Sequence, residues 1–448
     1  MKKNVLSLVI VFFIGVFNLF AQGIEFEHIS LEEALKKAEL ENKLVFIDFY
    51  TTWCAPCKIM SKNVFPIPEV GALYNKEFVS IKLDAEKEGL EDAKKYQVNS
   101  YPTYLYLNSS GNVVYKESGS RMPEDFIQLG RDVAASVSSE YSLEKLQTIF
   151  INKQDDPDFL KIYYTKMMEY GQNPTEGINA WLKVQNEIEE DDVDMMEFLL
   201  KYKDYIILNS KGAEILKANF DEYMDIATRK EEEELEVFKE VRLAKNTRDY
   251  AFETKNPELW LIFMEAFNEL PEKYKKKGNY LEYKITYSGL LNDSQGYKKA
   301  VITYVDSLIA DKTISEIKAK DQAIYEKRSK ALEGNNTLQA ESMLKAYKNG
   351  INSGNIVEDL HQKGEAYLKY VDSKKEYKNL ENWIEYGYNL EASAYYMDDL
   401  TADMYYKKGK AKKAIECKER ALANWPEDDK KFAAKKYELE QMKKGASI

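Results

Sequence analysis

The sequence predicts two parts: an α/β domain whose mixed sheet is covered by helices, and a longer all-α region that follows it. Two observations predict this division. In the first third of the chain, apolar runs of strand length alternate with helical segments and then finish in a hairpin pattern. From residue 140 onward the alternation disappears, prolines are few, and Lys, Glu, Leu, Ala and Tyr recur at helical spacing. We therefore predict a domain over residues 23–138 and a stack of helix pairs over residues 140–448.

Composition excludes several classes of function. The 448 residues include 64 Lys plus Arg against 76 Asp plus Glu, a net charge of −12. Because there is no basic excess, a nucleic-acid partner is not expected. The two histidines, His28 and His361, cannot build a multi-histidine metal site. No metal and no other cofactor are expected. Three cysteines are too few for a scaffold held together by disulfides.

The first residues have the pattern of a signal peptide. Lys2 and Lys3 precede a mostly apolar run from Val5 to Phe20, and small Ala21 follows. The run is shorter than the roughly 20 residues that span a bilayer. We expect residues 1–21 to be removed and the protein to be exported to the periplasm, an oxidising compartment. Retention of this segment as an uncleaved anchor is the alternative.

Local signals predict the elements of the first part. Ser30 and Glu33 form a Ser-x-x-Glu capping box, which predicts a helix over residues 31–41. The next run, Leu44–Tyr50, is nearly all apolar or aromatic, as in a central strand buried on both faces. The remaining predicted elements are a helix from Pro56, strands over 78–83, 103–107 and 113–116, and helices over 89–96 and 123–135.

One helix pair near the end of the chain has a recognisable pattern. Small or aromatic residues and a terminal proline occupy the positions expected of one 34-residue helix-turn-helix repeat. They are Ala402, Tyr405, Gly409, Ala414, Ala421 and Pro426. Small residues let two helices cross closely, and the proline stops the second helix. The pattern resembles a tetratricopeptide unit near residues 393–426. Lys418 departs from it, because a bulky apolar residue is usual there.

Cys54 and Cys57 carry the chemical argument. Two cysteines three residues apart can bind zinc, form a static disulfide, or cycle between dithiol and disulfide. Zinc needs four ligands, and neither a second pair nor a nearby histidine is present. The pair follows a predicted buried strand and opens a predicted helix, where unpaired amides and the helix dipole favour a thiolate. This position favours the cycling pair, with a redox-inert domain as the alternative.

Four segments resemble the thioredoxin family. They are Phe46-Ile47-Asp48-Phe49-Tyr50 before Trp53-Cys54-Ala55-Pro56-Cys57-Lys58, then Phe78-Val79-Ser80-Ile81-Lys82-Leu83-Asp84, and then Val98-Asn99-Ser100-Tyr101-Pro102-Thr103. The stretch from Val64 to Val70 further resembles exported members, including the periplasmic domain of thiol:disulfide interchange reductases. The similarity covers residues 23–138 and implies a thioredoxin-like fold.

The resemblance implies a role for four residues in the reaction. Cys54 would be the nucleophile and Cys57 the resolving thiol. Asp48 matches the buried carboxylate of the family, which helps to take the proton from the resolving cysteine, and Lys82 matches the lysine beside it. A hydrogen-bonded polar group of the core is the alternative interpretation of Asp48.

The resemblance also implies the substrate-binding residues. Tyr101 and Pro102 match the cis-proline loop, whose backbone pairs with the substrate, and Trp53 would shield the thiolate. Ala55 stands where glycine is commoner, and Pro56 suits the first turn of a helix. Tyr101 replaces a smaller apolar residue, which bears on substrate preference.

Together these features predict an exported thiol:disulfide oxidoreductase whose helical region docks partners. Its expected partners are protein disulfides and an electron donor, a membrane thiol carrier. Pro56 between the cysteines favours a reductant over a strong oxidant. The alternative is a helical scaffold in which the thioredoxin-like domain only binds peptides.

Overall fold

The computed structural model describes residues 23–137, 139, 141–186, 188–275, 279–334, 337–427, 429 and 431–446. The predicted signal segment over residues 1–21 lies outside the described residues. Contacts between Cα atoms divide the chain into two compact units, Met1–Thr148 with Tyr170–Gln172, and Ile149–Glu169 with Asn173–Ile448. We call them the front unit and the helical unit. The domain boundary at residues 138–140 stays a prediction.

The front unit is built on a five-stranded mixed sheet. Its strands are β1 Phe26–Glu27, β2 Leu44–Tyr50, β3 Phe78–Asp84, β4 Thr103–Leu107 and β5 Val113–Ser118. Their order across the sheet is β1-β3-β2-β4-β5. The central β2 runs parallel to β3 and antiparallel to β4, and β4 and β5 form the predicted hairpin. In this register Asp48 on β2 lies between Lys82 on β3 and Tyr104 on β4.

Helices and apolar clusters cover both faces of this sheet. The helices of the front unit are α1 Leu31–Glu41, α2 Ala55–Asn63, α3 Pro68–Glu77, α4 Leu90–Lys95, α5 Pro123–Ser136 and α6 Leu143–Phe150, whose last residues enter the helical unit. Val45, Ile47 and Phe49 belong to the apolar cluster on one face, and Leu44 and Phe46 to that on the other. The prediction that β2 is buried on both faces is therefore confirmed.

One helix of the front unit was not predicted. Residues 68–77 form α3, which begins at Pro68, where a missing amide proton costs nothing. The helix buries Tyr74, whose hydroxyl lies 2.7 Å from that of Tyr106 and whose ring stacks on Phe126 at 4.6 Å. This aromatic contact fixes α3 against the sheet and α5.

The helical unit contains α-helices and short 3₁₀ or π turns among its described residues. Its helices are α7 Pro157–Glu169, α8 Thr175–Lys183, α9 Val193–Lys201, α10 Lys211–Ala218, α11 Phe220–Ile226, α12 Arg229–Val237, α13 Leu243–Glu253, α14 Pro257–Glu269, α15 Asn279–Leu290, α16 Ser294–Ala310, α17 Ile314–Ala331, α18 Leu338–Lys348, α19 Ile351–Leu368, α20 Lys374–Asn389, α21 Tyr395–Lys407, α22 Ala411–Asn424 and α23 Phe432–Lys444. The predicted all-α region is confirmed. Across the described part of the chain, no helix combines the length and the apolar character that a membrane span requires.

The helix pair predicted near residues 393–426 is present as α21 and α22. Ala402, Ala414 and Ala421 are fully buried where the two helices pack. Gly409 lies in the turn with φ of 71°, a left-handed conformation that favours glycine. The small residues therefore allow the close helix packing that the pattern predicts, and the glycine allows the turn.

Lys418 on α22 is the departure from that pattern, and it is fully buried. Its Nζ lies 2.5 Å from Asp399, 2.7 Å from Asp403 and 2.8 Å from Glu438. Burial alone would lower the pKa of Lys418, but the attraction of Asp403 and Asp399 raises it. An ion-pair network that joins α21, α22 and α23 thus replaces the usual apolar contact.

Candidate active site

Cys54 and Cys57 lie where β2 ends and α2 begins, as predicted. They form a disulfide, and both side chains are buried. Cys54 is the N-cap of α2, and its Sγ accepts a hydrogen bond from the amide of Cys57 at 3.1 Å. Pro56 occupies the first turn of this helix, and Ala55 and Pro56 are exposed beside the disulfide.

This position gives the two sulfurs different chemistry. An N-cap sulfur lies among the unpaired amides of the first helical turn, at the positive end of the helix dipole. These groups stabilise a thiolate on Cys54 once the disulfide is reduced, and the thiolate is the attacking species in disulfide exchange. Cys57 lies one turn along the helix, within bonding distance of Cys54.

Asp48 is a carboxyl group in the interior of the sheet. It is fully buried, and its Oδ2 lies 2.9 Å from Nζ of Lys82. Its Oδ1 has no hydrogen-bond partner among the described residues. Burial raises the pKa of Asp48, and the nearby ammonium of Lys82 offsets this only in part. Such a carboxylate can accept a proton nearer to neutral pH than an exposed aspartate can.

Lys82 connects this buried carboxylate to the surface. Its Nζ donates a hydrogen bond to Oγ of Ser61 at 2.7 Å. The rings of Phe26, Tyr50 and Phe65 surround the ammonium, with centroids 5.0–5.1 Å away. Hydroxyl, carboxylate and aromatic faces therefore hold the ammonium from several directions.

The predicted substrate-binding residues form a second group on this unit. The Trp53 side chain is 44% exposed, and its ring meets that of Tyr101 edge to face at 5.9 Å. The Tyr101–Pro102 peptide bond is cis, as the resemblance implied. The indole Nε1 of Trp53 lies 3.0 Å from both carboxylate oxygens of Glu86.

The structure therefore brings the predicted residues together in pairs: Cys54 with Cys57, Asp48 with Lys82, and Trp53 with Tyr101. Cys57 and Lys82 also line one pocket of about 390 Å³. The sequence analysis did not identify Ser61 and Glu86 as site residues. Ser61 could have been found, because it lies one helical turn after Cys57, whereas no spacing in the sequence points to Glu86. The roles assigned to these residues stay predictions.

Comparisons with known proteins agree with this geometry. The family profile described as a thioredoxin-like domain matches residues 31–134. The thioredoxin of Mycoplasmoides gallisepticum is 32% identical over 93 residues, which are 21% of this chain and 87% of that protein. The thiol:disulfide interchange protein DsbD of Pseudomonas fluorescens is 32% identical over 85 residues, 18% of this chain and 15% of that protein.

A solved structure from Bacteroides thetaiotaomicron, named as a candidate disulphide-isomerase, is 46% identical and covers 27% of this chain and 97% of its own, with a TM-score of 0.24. The chain spans 62% of the length of Thioredoxin-1 and 44% of that of Thioredoxin-T, both from Drosophila melanogaster. A thioredoxin-like domain with a Cys-x-x-Cys pair suggests a thiol:disulfide oxidoreductase. Through its front unit, the chain belongs to the thioredoxin family.

Proposed function

We propose that this protein reduces disulfides of other proteins in an exported compartment, and that its helical unit docks those partners. The position of Cys54 carries the proposal: its sulfur caps α2 and accepts the amide hydrogen of Cys57. The buried carboxylate of Asp48, with its raised pKa, supports it.

The reaction has two steps of thiol–disulfide exchange. The Cys54 thiolate attacks one sulfur of the substrate disulfide, that bond breaks, and the released substrate thiolate takes a proton from solvent. Asp48 then receives the proton of the Cys57 thiol, and the Cys57 thiolate attacks the sulfur of Cys54. The second substrate thiolate leaves and is protonated. Two electrons have passed from the enzyme dithiol to the substrate, and the Cys54–Cys57 disulfide has formed.

Three features of the proposal rest on the sequence. Pro56 between the cysteines favours the reducing direction. The segment over residues 1–21 supports export to the periplasm, where a membrane thiol carrier would supply electrons and return the pair to the dithiol. The length of the helical unit supports partner docking, since stacked helix pairs form extended surfaces suited to protein chains.

The second candidate function is a helical scaffold in which the front unit only binds peptides. The exposed Trp53, packed edge to face on Tyr101, favours it, because an aromatic surface binds peptides without redox chemistry. The two candidates differ in whether the cysteine pair turns over.

A turnover assay with a disulfide-bonded protein separates them. The pre-reduced full-length chain should reduce insulin with a small dithiol as electron source, well above the rate of the dithiol alone. The matched control is the double variant Cys54→Ser with Cys57→Ser, which should give only the background rate. A wild-type rate equal to that of the double variant would favour the scaffold.

A further inference from the structure

Hydroxyl and ammonium groups line part of the pocket beside Cys57. Its volume is about 390 Å³, and three kinds of side chain line it: hydroxyls, ammoniums and one sulfur, from Tyr50, Thr51, Thr52, Ser61, Lys58, Lys62, Lys82 and Cys57. No carboxylate is among these described lining residues. Ammonium groups donate only, and hydroxyls donate as well as accept. The chemistry of the lining therefore suits an oxyanion.

Two of the three lysines have a charge that no carboxylate offsets. Lys82 is paired with Asp48 at 2.9 Å. Lys58 and Lys62 are exposed one turn apart on α2, and neither forms an ion pair with another residue in the described part of the chain. The whole chain carries a net charge of −12, so the lysines of this pocket have the opposite sign to the chain as a whole.

Thr51 lies in the wall of this pocket. Its side chain is 1% exposed and lines the pocket, and its buried hydroxyl has no hydrogen-bond partner among the described residues.

We propose that this pocket receives the carboxylate of an acidic side chain next to the substrate disulfide, so that acidic disulfide segments are the preferred substrates. The inference rests on the proposed function. A carboxylate offers about four acceptor sites, enough for Lys58, Lys62 and a hydroxyl together. Because Cys57 lies in the pocket wall and is bonded to Cys54, a carboxylate held there lies near the disulfide.

Three synthetic peptides test this preference. Each carries the same disulfide, and they differ only in the residues flanking one cysteine: two glutamates, two glutamines or two lysines. We expect the pre-reduced full-length chain to reduce the glutamate peptide about 3- to 10-fold faster than the glutamine peptide. This factor corresponds to the free energy that two partly exposed ion pairs contribute. The lysine peptide should be slowest, and added salt should narrow the differences.

A matched pair of variants locates the effect. Lys58→Gln with Lys62→Gln should bring the glutamate-to-glutamine rate ratio close to one. Lys36→Gln with Lys76→Gln removes the same charge from α1 and α3, where these lysines pair with Glu32 and Glu77. This control should keep the wild-type ratio. Circular dichroism of both variants verifies that each is folded.

The results that would contradict this inference differ from those that would contradict the proposed function. Equal rates for the glutamate and glutamine peptides, a ratio that survives Lys58→Gln with Lys62→Gln, or an equal fall in the control would each overturn the inference but leave the proposed function standing. Inorganic phosphate at constant ionic strength should slow the glutamate peptide selectively. If it slows all three peptides equally, phosphate does not compete with the glutamate side chains for this pocket and the inference is wrong. Failure to reduce any peptide contradicts the proposed function as well.

Discussion

Cys57→Ser is expected to hold substrate proteins in a covalent mixed disulfide, whereas Cys54→Ser is expected to hold none. Cys54 caps α2, where amides and the helix dipole stabilise its thiolate, so it makes the first attack. Without Cys57 the mixed disulfide has no resolving thiol and persists. Steady-state disulfide reduction by either variant should fall to the rate measured without protein.

Non-reducing electrophoresis followed by reduction identifies the trapped partners. The double variant Cys54→Ser with Cys57→Ser is the matched control, because it retains Cys417, a buried free cysteine packed within the helical unit. Equal trapping by the two single variants, or trapping by the double variant, would contradict the assignment of Cys54 as nucleophile.

Asp48→Asn is expected to slow disulfide exchange at pH 7 by about 10- to 100-fold, below the full range for general bases because water partly substitutes. Burial raises the pKa of Asp48, so its carboxylate accepts a proton readily while asparagine accepts none. The ratio of the wild-type rate to the Asp48→Asn rate should be largest above the pKa of Asp48. It should approach one in acid, where Asp48 is already protonated. Rapid-mixing kinetics across pH measure this ratio.

The same substitution should stabilise the folded protein at pH 7. A carboxyl group whose pKa is raised on folding lowers stability as pH rises from its ordinary value of 3.8 through the raised one. Asparagine removes this loss, which is about 1.4 kcal/mol for each pH unit by which folding raises the pKa of Asp48. Asp84→Asn is the matched control, a buried carboxylate paired with Lys87 at 3.0 Å that should keep the wild-type exchange rate. An Asp48→Asn protein that exchanges at the original rate would leave Asp48 as a structural residue.

Much of the front unit could be predicted because its signals are local. The run Leu44–Tyr50 is apolar enough to be read as a buried strand, and Ser30 with Glu33 marks the start of α1. Asp48 stood out because a carboxylate within such a strand needs a reason to be there. The helix α3 was missed because Pro66 and Pro68 look like a break, although a proline fits the first turn of a helix.

The remaining features depend on contacts between residues distant in the chain. Glu86 reaches Trp53 from beyond the end of β3, and no spacing rule connects them. Lys418 departs from the repeat pattern, and the sequence pattern does not explain why. Its ion-pair partners Asp399 and Glu438 lie on the neighbouring helices, so only the fold shows them. The pocket beside Cys57 joins α2 to β2 and β3, and only the folded sheet brings those side chains together.

The reduction potential of the Cys54–Cys57 pair tests the central claim most directly. The full-length chain is equilibrated with thiol–disulfide buffers of known potential, and the fraction of dithiol is read by alkylation of the free thiols. The proposed reductase predicts a value near that of thioredoxin, about −270 mV, and therefore a pair that donates electrons to protein disulfides of higher potential. A value near that of the strong oxidants, about −120 mV, would contradict the account, because such a pair would form disulfides in its partners instead of reducing them.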